Sequence, residues 1–353
     1  MYFPPTMNHD YTFLRACRRE PVDRVPLWLM RQAGRYMPEY RALRRNRTIL
    51  ELCRTPELAA EVTLQPINRF DLDAAIIFAD ILLPLEGLGI GFHFAEGEGP
   101  VIEKPVRSPA DVDALRSFDP TDDLGYVLEA IRIVRGELEG RVPLIGFAAA
   151  PFTLASYMIE GGSSRNYLLM KSFMYRQPEA WDRLMRHVAD MTRDYLAAQI
   201  EAGAQAVQMF DSWVGALSPE DYRAHVLPHS ARVLDGLAEY DVPRIHFGTN
   251  TATLLESMKE ANSEVLGVDW RLPMKRAREI IGPDFAVQGN LDPVLLMAPR
   301  EVLVERVQGI LEQADAGNGY IFNLGHGVLP PTPMESVDAV IETVHGFSVG
   351  DGR

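Results

Sequence analysis

The sequence predicts an α/β protein, a single-domain (β/α)8 TIM barrel with loop insertions that occupies residues 1–353. Three observations predict it. Eight short, near-continuous apolar runs punctuate the chain, the form expected of strands buried on both faces. Longer helical patterns lie between them, so strand and helix alternate and the crossovers are right-handed. Eight is also the number of strands that closes this barrel. A doubly wound open sheet is the competing arrangement. No composition shift, Pro/Ser-rich linker or low-complexity segment divides the chain.

In order, the strands are expected at Pro26–Met30, Ala74–Ala79, Pro143–Ala149, Ala204–Phe210, Arg244–Phe247, Glu264–Val268, Phe285–Gln288 and Tyr320–Asn323. The clearest helix is Pro178–Ala202, where Trp181, Leu184, Met185, Val188, Met191 and Tyr195 share one stripe at 3.6 spacing. Gly203 follows as its terminator. Thr55-Pro56, Ser108-Pro109, Ser218-Pro219 and Thr332-Pro333 each place a hydroxyl at an N-cap and proline at the first helical position. Asp111, Asp221 and Glu335 stand three residues after Ser108, Ser218 and Thr332, as in a capping box. Residues 86–120, rich in Gly, Pro and acids and including Gly97, read as a long excursion after the second strand.

Composition narrows the function. Apolar residues make up 47% and charged residues 24%, ordinary for a globular protein, so collagen-like, coiled-coil and disordered readings fail. The net charge of −14 argues against nucleic-acid binding, which needs a basic surface. Yet residues 1–54 hold eleven arginines against five acids, a local excess that marks a possible anion site. Cys17 and Cys53 are too few for a disulfide framework and suit a reducing compartment. Met1–Thr6 shows neither a basic nor an apolar leader pattern, which points to the cytoplasm. The uncharged run Val142–Ile159 reaches spanning length, but Pro143 and Pro151 break it and Thr153, Ser156 and Tyr157 would carry polar groups into lipid. No membrane role is expected.

Two motifs mislead. Gly87, Gly89 and Gly91 imitate a phosphate loop but lack the strand–turn–helix context. His225 and His229 have zinc spacing, but Pro228 lies between them and no HExxH glutamate is present. A metal site is therefore not expected.

In a barrel the site lies at the C-terminal strand ends. The polar residues there are Arg31, Gln32 and Arg35, then Asp80, Tyr157, Asp211, Ser212, Thr249, Asp269, Asn290 and His326. In Trp28-Leu-Met-Arg31-Gln-Ala-Gly34-Arg35 an apolar strand ends abruptly in two arginines around a glycine. Arginine forks match carboxylates better than lysine does. In Phe78-Ala79-Asp80-Ile81-Leu82 one acid stands in an apolar run, and a buried carboxylate is costly unless partnered. Three further segments complete the set: Gly146–Gly162 around Pro151 and Tyr157, Phe210-Asp-Ser-Trp213, and Asn323-Leu-Gly-His326-Gly-Val-Leu-Pro330.

These five segments, in this order, closely resemble the uroporphyrinogen decarboxylase family over about residues 10 to 345. Departures are mild: Ala149 stands where many members carry glycine, and Val214 where alanine is common. The resemblance implies a (β/α)8 barrel, a homodimer, and decarboxylation of the four acetate side chains of uroporphyrinogen III to coproporphyrinogen III. It implies no metal, organic cofactor or covalent intermediate. It further implies catalytic roles for Asp80, Arg31 and Tyr157, and substrate binding by Arg31, Gln32, Ala33, Gly34, Arg35, Asp80, Tyr157, Ser212 and His326. A substrate with eight carboxylates fits the arginine excess. Asp211 is left as a residue that orients its loop. The competing enzyme reading is a cobalamin-linked methyltransferase with a zinc–thiolate site. It would need an HxC motif, which the chain lacks, and Cys17 and Cys53 are misplaced for it. A non-catalytic tetrapyrrole carrier would have no reason to hold Asp80 and Tyr157.

Overall fold

The computed structural model describes residues 10–95, 99–315 and 319–349. Met1–Thr6 and Gly97 lie outside them. Seven strands form one parallel sheet: β1 (Ala75–Ile76), β4 (Leu144–Ala149), β5 (Ala206–Asp211), β6 (Arg244–Gly248), β7 (Val265–Gly267), β8 (Ala286–Leu291) and β9 (Tyr320–Leu324), neighbours in that order. A separate antiparallel pair, β2 (Phe92–Ala95) and β3 (Gly99–Ile102), arises from the stretch expected to be an irregular excursion. Its alternation of Phe92 and Phe94 around His93 is a strand pattern that the flanking glycines disguised.

The register explains why the strands read as continuous apolar runs. Ile145 pairs with Ala206, Ile245 with Val265, and Val265 with Ala286. These residues, with Ile321, Trp28 and Ala74, form an inner core distinct from the larger one that contains the helix stripes. Both faces of each strand are therefore dry. Trp28 Nε1 donates to Gln288 Oε1 at 2.9 Å, and Gln288 Nε2 donates to Gln208 Oε1 at 3.0 Å. This buried relay links the first segment to β8 and β5, with its polar groups satisfied as burial requires.

The expected strand Pro26–Met30 is reduced to a single parallel bridge, Leu27 to Phe322. Side chains replace the ladder. Pro26 has no N–H to give, Leu27 N donates to Asp73 Oδ2 at 2.8 Å, and Met30 N donates to Asn323 Oδ1 at 3.0 Å. The segment still touches both ends of the sheet. Phe322 N donates to Pro26 O at 2.9 Å, and Asp73 N to Leu27 O at 2.8 Å. The strand Ala74–Ala79 is cut short because Phe78 N turns to the Thr63 hydroxyl at 2.9 Å.

The helix Pro178–Ala202 forms as expected and ends at Gly203, whose φ is +126°. Ser108 caps with a reciprocal box to Asp111, and Ser218 accepts from Asp221 N at 3.1 Å. Two caps fail. Thr55 gives its hydroxyl to Glu51 O instead, and the last helix begins at Met334, with Thr332 contributing no cap. A full box between Thr48 and Glu51 was not foreseen. No described helix is long and apolar enough to cross a membrane.

Candidate active site

Every expected site residue follows the C-terminal end of a strand or of the Pro26–Trp28 segment. After Met30, the backbone swings into a left-handed conformation at Arg31, φ +59°, rare for a residue with a side chain. Val328 N holds this turn by donating to Met30 O at 2.8 Å. The Arg31 stem lies across Gly327, where any Cβ would collide with it. Gly327 is therefore required by close approach, and it brings the His326 segment against Arg31. Gly34 is similarly tight, since a Cβ there would stand 3.1 Å from Arg31 O.

Gln32 is fully buried and committed to the frame. Its Nε2 donates to Ala74 O and its Oε1 accepts from Leu29 N, both at 3.1 Å. Ala33 packs half-buried against the main core. Arg31 and Arg35 are exposed, and their guanidiniums pair with no described carboxylate. In a chain of net −14, two exposed arginines four residues apart with no described carboxylate partner are suited to an anion.

Asp80 stands four residues beyond β1, half-buried. Its Oδ1 accepts from Leu82 N at 2.9 Å. Burial pushes its carboxyl above the usual range, while the Leu82 amide and the Arg31 charge pull it back. Tyr157 projects from the helix Pro151–Glu160, which starts on Pro151 and ends at left-handed Gly161. Burial raises its phenol well above 10, and the negative charge of Asp80 adds to this. Tyr157 thus keeps its phenol proton at neutral pH and can act as an O–H donor near Asp80. Its ring lies 3.8 Å from that of Trp213, which in turn meets Tyr167 edge-on at 5.3 Å.

Ser212 follows β5, and its carbonyl accepts from the Thr249 hydroxyl. It lines an open cavity of 390 Å³ beside Trp213 and Tyr167. His326 is half-buried, with Nδ1 accepting from Gly327 N at 2.7 Å. Burial and the cations Arg31 and Arg271 lower its pKa to about 4, against an opposing pull from Asp269. The neutral ring therefore carries its proton on Nε2 and presents a donor.

Several contacts important here were not visible in the sequence. Asp211 points away from the inner core. Thr153 Oγ1 donates to its Oδ1 at 3.0 Å, and His246 Nε2 lies 3.6 Å from its Oδ2, with Asp211 and His246 both fully buried. Trp213 N also donates to Thr153 Oγ1, at 3.4 Å. Thr153 thus ties the Tyr157 helix to the Asp211–Trp213 turn. Trp270 and Arg271 were missed as well. Arg271 stacks 4.0 Å over Trp270 and pairs with Asp269 at 2.6 Å. Trp213 was visible in its motif, whereas Tyr167 and Arg271 carry no local signal.

Fold and site together define a parallel α/β protein that brings Asp80, Tyr157 and arginines without a carboxylate partner among the described residues to the strand ends, a site suited to a polycarboxylate. The family model described as "Uroporphyrinogen decarboxylase (URO-D)" matches residues 8–347. A protein from Sorangium cellulosum named uroporphyrinogen decarboxylase is 59% identical over 339 residues, covering 96% of this chain and 97% of that one. One of the same name from Carboxydothermus hydrogenoformans is 58% identical, covering 96% of each. The chain belongs to the uroporphyrinogen decarboxylase family. Its fold is also similar to that of a solved methyltransferase from Methanosarcina mazei, with TM-score 0.79 and 22% identity over 94% of this chain and 96% of that one.

Proposed function

We propose that the protein removes the carboxyl groups of the four acetate side chains of uroporphyrinogen III, giving coproporphyrinogen III and four CO2 for haem biosynthesis. The observation that carries this reading is the juxtaposition of Asp80, Arg31 and Tyr157, with Arg31 and Arg35 exposed and without an ion pair among the described residues. Loss of CO2 leaves an electron pair that needs a sink. A pyrrole protonated at ring carbon is one, so the chemistry itself calls for no metal or organic cofactor. A fixed carboxylate stabilises that cation where its charge develops. Asp80 takes this role, and its oxygens accept from the pyrrole N–H groups. A central anchor of this kind serves each ring in turn, which lets one site process all four acetates. The C–CO2 bond then breaks, and its electrons neutralise the ring cation and leave an exocyclic methylene. Protonation of that methylene gives the methyl, and loss of the proton first added at the ring carbon restores the pyrrole.

Arg31 binds the reacting acetate, and Tyr157 donates to it beside Asp80. Arg35, Ser212 and the His326 Nε2–H hold other carboxylates. Gln32, Ala33 and Gly34 shape the turn and offer backbone edges. The bonds from Pro26–Trp28 to β9 and to Asp73 support a ring closed by an eighth strand position, in one domain. Family membership supports a homodimer working in the cytoplasm. The methyltransferase chemistry is disfavoured because Cys17 and Cys53 are both buried and burial pushes their thiols up, away from the thiolate that zinc requires. Anaerobic incubation of the purified protein with uroporphyrinogen III tests the reading. Release of four CO2 per coproporphyrinogen formed is expected; binding without CO2 would leave a carrier.

A further inference from the structure

The cavity beyond Ser212 carries two cations, and apart from Ser212 none of its lining residues has a role in the reaction at Asp80 described above. Arg165 and Lys171 both line it, and no acidic residue does. The chain as a whole carries 49 acids against 35 bases, so a lining with two cations and no acid stands apart from the overall balance. Arg165 is exposed and makes no ion pair or hydrogen bond with any described residue. Lys171 Nζ donates to Ala216 O at 2.6 Å, which fixes the ammonium at the wall. Asn250 steadies the opposite side by donating to Gly215 O at 3.3 Å. The cavity adjoins the candidate site, because Ser212 and Trp213 line it and the Trp213 ring lies 3.8 Å from that of Tyr157.

We infer that this lobe is a carboxylate subsite that holds side chains of the tetrapyrrole not undergoing reaction, with Arg165 as its principal contact and Lys171 as a fixed second charge. The inference rests on the polycarboxylate reading of the site. Its volume of 390 Å³ suits a peripheral carboxyalkyl arm. Arg165 offers a planar fork to the arm's carboxylate, and its exposure leaves it free to adjust as successive rings are presented. Each turnover at Asp80 then begins with a different arm in the lobe.

The test uses the full chain and uroporphyrin, which carries the same eight carboxylates and does not turn over. Binding is read by quenching of tryptophan fluorescence, to which Trp213 contributes. Arg165→Ala is expected to raise Kd about fivefold, within the range of a partly exposed charged contact. Arg165→Glu should raise it further, and Arg165→Lys should raise it least. The same order is expected in the KM for uroporphyrinogen, with kcat little changed. Melting temperatures should match the parent, since Arg165 has no internal partner to lose. Kd values within about twofold of the parent in both the Ala and Glu variants would overturn the subsite, as that is a small energy on this scale. Failure of the parent to release CO2 would instead overturn the proposed activity, and the Kd comparison would still decide the subsite.

Discussion

Burial pushes the Asp80 carboxyl up, and only the Leu82 amide and the Arg31 charge oppose it. The folded protein therefore holds this proton more tightly than the unfolded chain does. Stability falls as pH rises from the ordinary carboxylate range through the raised value. His326 works in the opposite sense. Its pKa falls from 6.5 to about 4, so the unfolded chain takes up a proton first as pH drops, and stability is lost between those values. His326→Gln is expected to flatten the change in melting temperature between about pH 7 and pH 5, since histidine titrates in that window. An unaltered slope would show that His326 takes up its proton alike in the folded and unfolded chains. Arg35→Lys should raise KM about tenfold with kcat nearly kept, because the bidentate fork is lost while the charge remains. An unchanged KM would remove Arg35 from the binding surface. These residues were legible because acids and arginines at strand ends stand out against apolar runs. Gln32 was legible only as a polar residue in a motif. Its amide turns out to be consumed by Leu29 and Ala74.

Two elements meet at Thr153. The helix Pro151–Glu160 delivers Tyr157, and the turn after β5 delivers Ser212 and Trp213. Thr153 Oγ1 joins them by donating to Asp211 and accepting from Trp213 N. Thr153→Val keeps the shape and removes the hydroxyl, so kcat should fall about tenfold, the size expected when a positioned contact is loosened. Thr153→Ser should restore it. In a Tyr157→Phe background, Thr153→Val should cost little further kcat, because both changes disable one group. Full multiplication of the two losses would make Thr153 merely structural. The sequence left Asp211 as a residue that orients its loop; its contact with Thr153 was hidden, since residues 153 and 211 are brought together only by folding. Element boundaries failed for a similar reason. Pro26–Met30 reads as a strand, but Asp73 and Asn323 take the amides that a neighbouring strand would otherwise have used.

At the scale of the molecule, the alternation of apolar runs and helices was readable because each strand is dry on both faces, one facing the inner core of Ile145, Ile245 and Val265 and the other the helices. The hairpin β2–β3 was not, because four-residue strands among glycines carry too little periodicity. The lobe at Arg165 was also illegible, since its lining comes from segments far apart in sequence. Of the arginine-rich start, Arg15, Arg18, Arg24 and Arg54 are taken up by ion pairs, while Arg31 and Arg35 are left exposed near the strand ends. The account depends most on Asp80 as the anion that stabilises a positive ring. CO2 release from uroporphyrinogen by Asp80→Asn measures this directly. A loss of ~100-fold or more in turnover, in a protein that still folds and binds uroporphyrin, is predicted from removal of one preorganised charge. Turnover equal to the parent would contradict it.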